Sequence, residues 1–192
     1  MAPIHEAAKR GDLAEVRRLV EEDPGVVHAE DGCGEQPLLY ASSAGHVAVA
    51  AYLLDQGAAV NQQVGGARRT ALHEACQHGH GELVRLLLAR GADPTLSDRE
   101  GYTPLIWASR NGRVEVVRCL LTDGRSPINA VCKWGRTALL YAASWGRAEV
   151  ARLLLQAGAD PTIADVHGRT ALSVARQCNQ PEVVALLEVR NV

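Results

Sequence analysis

The stretch Asp98-Arg99-Glu100-Gly101-Tyr102-Thr103-Pro104-Leu105-Ile106-Trp107-Ala108-Ser109-Arg110-Asn111-Gly112-Arg113-Val114-Glu115-Val116-Val117 decides how the whole chain is read. It opens as a polar turn. Thr103 then stands as a helix N-cap, its hydroxyl able to accept an orphan backbone N–H, and Pro104 suits the first helical position. A short Ala-containing helix follows and stops at Gly112, which can take positive φ. Val114 begins a second apolar helix, and that one stops at Gly124.

The same design recurs along the chain, and a repeat governs the fold before any local signal does. One apolar register runs Ile4, Leu38, Leu72, Leu105, Leu139 and Leu172, at spacings of 34, 34, 33, 34 and 33 residues. A second runs Gly11, Gly45, Gly79, Gly112, Gly146 and Asn179, and a third Gly57, Gly91, Gly124 and Gly158. Helices of about nine residues are marginal alone, so each pair must bury its apolar face against the next. The expected architecture is all-α: one domain over residues 1–192, in repeats of approximately 1–29, 30–63, 64–97, 98–130, 131–164 and 165–192.

Composition agrees with this. Of 192 residues, 47% are apolar and 22% charged, and the net charge is −2, so no basic field demands nucleic acid. The longest apolar stretches, such as residues 47–54, fall far short of the roughly 20 residues of a membrane helix. No signal peptide is visible at Met1–Glu6. Five cysteines, odd in number and without a close pair, point to a reducing, intracellular setting, cytoplasm or nucleus. Phe is absent, and seven Tyr and Trp are the only large rings. Ala-rich helices that approach closely explain a core without Phe.

On these residues the chain resembles the ankyrin repeat. The matching motifs are Asp98-x-x-Gly101-Tyr102-Thr103-Pro104-Leu105 with Gly112 and Leu120-Leu121, and Thr70-Ala71-Leu72-His73-Glu74-Ala75 with Gly79-His80. The resemblance covers residues 1–190. It implies a solenoid of helix pairs with projecting fingers, whose concave face of fingers and first helices binds proteins. It also implies that His73 and His80 hydrogen-bond to backbone between repeats. Departures carry information too. The first repeat starts at its first helix and carries Lys9, Arg10, Glu15, Arg17 and Arg18, as a cap would. Arg68 stands where a Gly would supply positive φ, so that finger should be irregular. In the fourth repeat Pro127 is displaced and should reshape its loop. The last helix, residues 181–189, is as apolar as the internal ones; this favours a chain cut from a longer protein over an end that pairs.

Catalytic signals are weak. His73-Glu74-Ala75-Cys76-Gln77-His78-Gly79-His80 spaces its first two histidines i to i+5, where a zincin helix needs i to i+4, so a metal-dependent enzyme is the most remote reading and no cofactor is expected. Gly32-Cys33-Gly34 reads as a finger turn rather than a phosphate loop. Cys33 and Cys132 are expected in exposed fingers, with no base nearby to activate them. The function expected is non-catalytic binding of a partner protein or extended peptide. The alternative is a substrate-receptor or regulatory portion of a larger assembly, such as a ubiquitin-ligase subunit.

The binding site is read from register. Residues 1–96 hold eight basic and 13 acidic residues, net −5, and residues 97–192 hold 12 and nine, net +3. In the family the variable positions are the finger residues, the second residue after the framework Leu, and those just before the helix-ending Gly. Tyr40, Trp107 and Tyr141 occupy the second of these, Tyr102 and Trp134 the first, and Trp145 the third; Tyr52 alone lies on a second helix. The expected surface is Tyr102, Trp107, Trp134, Tyr141 and Trp145, rimmed by Arg99, Arg110 and Arg136. Trp, Tyr and Arg dominate interface hot spots, and guanidinium groups beside rings suit a peptide with carboxylates and an apolar anchor. A charge of +3 is thin for a phosphate backbone, which ranks nucleic acid well below protein.

Overall fold

The computed structural model describes residues 2–189, which divide between Asp93 and Pro94 into two compact units. The first unit holds three helix pairs: α1 (Pro3–Arg10) and α2 (Leu13–Glu22), α3 (Pro37–Ala44) and α4 (Val47–Asp55), α5 (Ala71–His78) and α6 (Gly81–Ala89). A 3-10 turn, Pro24–His28, follows α2. The second unit repeats the plan with α7 (Pro104–Arg110) and α8 (Val114–Asp123), α9 (Ala138–Ser144) and α10 (Ala148–Gln156), α11 (Ala171–Gln177) and α12 (Pro181–Glu188). In the first unit α1 packs on α3 and α3 on α5, with α2, α4 and α6 stacked behind them. In the second, α9 lies between α7 and α11, and α10 between α8 and α12. Among the described residues there is no strand, only a single β-bridge between Val64 and Arg69. This is the all-α repeat fold that the register implies.

Local chemistry accounts for the element ends. The hydroxyls of Thr70, Thr103, Thr137 and Thr170 accept the N–H three residues on, at 3.4, 3.3, 3.2 and 3.4 Å. His73 Nδ1 accepts the Thr70 N–H in return and closes a capping box. The His80 Nε2–H reaches back to the Ser43 carbonyl of the preceding repeat. Gly45 shows why the second register is glycine. Its φ is +79°, and an added Cβ would stand 2.5 Å from the His80 ring. The first helices stack through Ala7, Ala8, Ala41 and Ala75 in the first unit, and through Ala108, Ala142, Ala143 and Ala175 in the second, all fully buried. Leu53, Leu72, Leu83 and Leu87 fill the first core; Leu105, Leu120, Leu139 and Leu154 fill the second.

The fingers are built on one residue, seven places before the framework Leu. There Asp31, Asp98 and Asp165 each use Oδ1 to accept two backbone N–H groups of their own turn. The third-repeat finger is irregular, as expected. Its closing bond runs from Val64 N–H to Arg69 O, one residue longer than the bond from Asp98 N–H to Tyr102 O, and Arg68 takes φ +54° inside the turn. The last helix, α12, buries Val183 and Leu187 and leaves Ala185 exposed, as is Val189 just beyond its end.

Candidate functional site

The sequence expectation put five rings of the second unit on an open face. Three of them are interior. Tyr102, Trp107 and Tyr141 are 7%, 9% and 5% exposed, whereas Trp134 and Trp145 are 42% and 52% exposed. The burial has a cause in each case. The residue two after the framework Leu points at the finger of its own repeat, and Trp107 donates its Nε1–H to Asp98 Oδ2 at 3.0 Å. Tyr102, from the finger of the fourth repeat, meets Tyr141 on α9 of the fifth, with their hydroxyls 2.8 Å apart. The Tyr102 ring centroid lies 4.9 Å from Trp107, 5.3 Å from Tyr141 and 5.7 Å from Trp134. Burial first, and then the bond to Tyr102, push the Tyr141 phenol up, so it stays neutral. Tyr40 makes the equivalent contact in the first unit, donating to Asp31 at 2.6 Å.

The arginines sit around this cluster. The Arg110 guanidinium lies 5.4 Å from the Trp107 centroid, 5.9 Å from Trp145 and 6.0 Å from Tyr102, and it makes no ion pair among the described residues. Arg136 lies 5.6 Å over Tyr141 and donates its Nε–H to Asp165 Oδ2 at 3.1 Å. Arg99 is exposed. Trp134 thus meets the buried rings directly, through Tyr102, and Trp145 is joined to them by Arg110.

Sequence reasoning overlooked two groups here. Val131 and Val166 are exposed finger residues, at 52% and 61%, and the Val166 N–H donates to the Trp134 carbonyl. The finger register that selected Trp134 would have found them, had it been applied to aliphatic side chains as well as rings. The second group is Asp165, His167 and Arg169, which with Trp134, Arg136 and the two tyrosines line a cleft of about 270 Å³. Burial raises the Asp165 pKa. The Arg169 guanidinium, the N–H groups of Arg169 and His167, and Arg136 outweigh it and hold the carboxyl well below the usual carboxylate range. The signal for this group was present in Asp165-x-x-Gly168, but its partners come from two repeats.

Other expectations are placed as follows. Cys132 occupies the finger Asp position of the fifth repeat and is buried, with Sγ 3.5 Å from the Tyr141 hydroxyl; the expected exposure is corrected, because the finger turns this side chain inward as it does Asp98. Cys33 is exposed. His78 faces Glu74 at 3.6 Å and stacks on His80 at 6.1 Å, and among the described residues no three His, Cys, Asp or Glu side chains gather as metal ligands would. No described helix is long and apolar enough to cross a membrane.

Comparison with known proteins agrees with the fold. The family model of ankyrin repeats matches three times, over residues 4–98, 91–165 and 126–188. The chain is 39% identical over 119 residues to "Probable E3 ubiquitin-protein ligase XBOS33" of Oryza sativa subsp. japonica, covering 61% of this chain and 23% of that protein. It is 35% identical over 119 residues to "Ankyrin repeat and SAM domain-containing protein 6" of Rattus norvegicus, covering 61% and 13%. It is 37% identical over 118 residues to Inversin of Gallus gallus, covering 62% and 11%. The matched part thus spans less than a quarter of each relative's length.

Proposed function

The chain belongs to the ankyrin-repeat family of protein–protein interaction modules, and on that premise we propose that its second unit binds an extended peptide of a partner protein through its fingers and first helices. The observation that carries this reading is the exposure of Trp134 and Trp145 beside a buried, hydrogen-bonded cluster of Tyr102, Trp107 and Tyr141. Large exposed indoles on a soluble surface lose free energy to water, and hot spots are such residues held in place by well-packed neighbours. Tyr102 packs against Trp134, and Arg110, lying over Trp107 and Trp145, offers a cation to a carboxylate. Partner capture with the wild-type chain and with the Trp134→Ala/Trp145→Ala double variant tests it. The expected result is a partner whose affinity falls at least tenfold in the double variant while helicity is unchanged. Equal affinity within twofold discards the surface.

A second reading makes this surface the substrate receptor of a ubiquitin-ligase assembly. It is favoured by the similarity to a rice protein named as a probable ubiquitin ligase, of which this chain matches only a part. In that case the captured protein is ubiquitylated in cells, and its ubiquitylation falls when Trp134 and Trp145 are replaced; unchanged ubiquitylation excludes the reading.

A further inference from the structure

We propose that the cleft between the fifth and sixth fingers is a carboxylate subsite, which takes one glutamate or aspartate side chain of the bound peptide. This rests on the reading of the second unit as a peptide-binding surface. The cleft brings together Arg136 from one finger with Asp165, His167 and Arg169 from the next, and Trp134 borders it.

The argument begins with uncommitted donors. The Arg136 side chain is 21% exposed and its guanidinium makes one described hydrogen bond, from Nε to Asp165 Oδ2. Both of its terminal NH₂ groups lack an acceptor among the described residues. They form the end-on edge of the fork, which receives a carboxylate with two parallel bonds. Arg169 commits Nε and one terminal nitrogen to Asp165, at 3.0 and 2.8 Å, and keeps the other. Asp165 is the positioning residue. Its side chain is 1% exposed, its Oδ1 is held by two backbone N–H groups, and its Oδ2 collects both guanidinium groups on one side of the cleft. The Tyr141 face under Arg136 fixes that guanidinium from the other side. The partners of Arg136 leave it rigid but unsaturated.

Charge selects the ligand. Two guanidinium groups against one carboxylate give these three side chains a single positive charge. A carboxylate monoanion neutralises it. A phosphoryl dianion would leave excess negative charge next to Asp165, which repels it. At about 270 Å³ the space suits one side chain rather than a cofactor. Trp134 at the border supplies the apolar contact for a neighbouring aliphatic residue, so the recognised element is an aliphatic residue next to an acidic one.

The test titrates the isotopically labelled full chain with N-acetyl-Leu-Glu-amide and N-acetyl-Leu-Gln-amide, and follows the arginine Nε–Hε resonances. The expected result is a saturable shift of the Arg136 signal with the glutamyl peptide and affinity at least about tenfold weaker for the glutamine peptide. Arg136→Lys keeps the charge but removes the planar fork, and it should weaken the glutamyl peptide about tenfold while the amide spectrum outside the cleft stays unchanged. Arg10→Gln, exposed in the first unit, should leave binding unaltered. Equal binding of the two peptides, wild-type binding by Arg136→Lys, or tighter binding of the phosphoserine counterpart overturns the proposal. The capture experiment with Trp134 and Trp145 fails or succeeds separately. Loss of the partner there with no Arg136 shift here rejects the cleft alone, and the reverse rejects the broader surface alone.

Discussion

Trp107 and Trp145 both occupy variable positions of their repeats, yet they are opposite kinds of residue. Trp107 is packed against Tyr102 and donates to Asp98, so truncation removes a ring from a filled space and a partner from a buried carboxylate. Trp107→Ala should lower stability by about 3 kcal/mol or more, read by urea denaturation. Trp145→Ala, at a half-exposed site, should stay within about 0.5 kcal/mol. Equal losses would show that the two rings are not divided into support and contact. Asp31 gives a second residue-level expectation. The Tyr40 hydroxyl, then the Glu35 and Cys33 N–H groups, hold its carboxyl at about 2 against an ordinary 3.8. The folded value is the lower one, so its contribution is full above the ordinary value and disappears as pH falls from about 4 through about 2. Tyr40→Phe should shrink the loss of stability across that window, and an unaltered acid-unfolding profile would contradict the assignment.

At the scale of elements, short helices depend on their ends. Gly45→Ala forces a non-glycine residue into the left-handed region and drives its Cβ into His80, which caps the stack by bonding to Ser43. A cost of about 1–2 kcal/mol is expected from the backbone alone, with a further loss from His80, measured as a lowered denaturation midpoint. Thr137→Ala should cost about 1 kcal/mol by freeing the Leu140 N–H. These ends were legible in advance, since Thr, Pro and Gly each act through local backbone geometry. The third finger was only partly so. Arg68 announced an irregular turn, but its length depended on where Val64 paired, and Val64 was chosen by burial of its side chain.

Across the whole molecule, charge is divided: net −5 over residues 1–96 and net +3 over residues 97–192. An acidic ligand is therefore drawn to the second unit and repelled by the first. Association of a glutamate-rich partner should slow as salt is raised from about 0.05 to about 0.5 M, in a stopped-flow measurement, because screening shortens the reach of that field. A rate indifferent to salt would remove steering from the account. The sequence by itself determined the repeat, the order of helices, their caps and the Ala-lined stacking, because these depend on residues within one period. Tertiary structure alone decided which aromatic residues are exposed and which are buried. Tyr102 is covered by Tyr141, 39 residues away, and Arg136 is aimed by Asp165, 29 residues away. Register tells which positions can be exposed; only the side chain arriving from the next repeat fills the space or leaves it open.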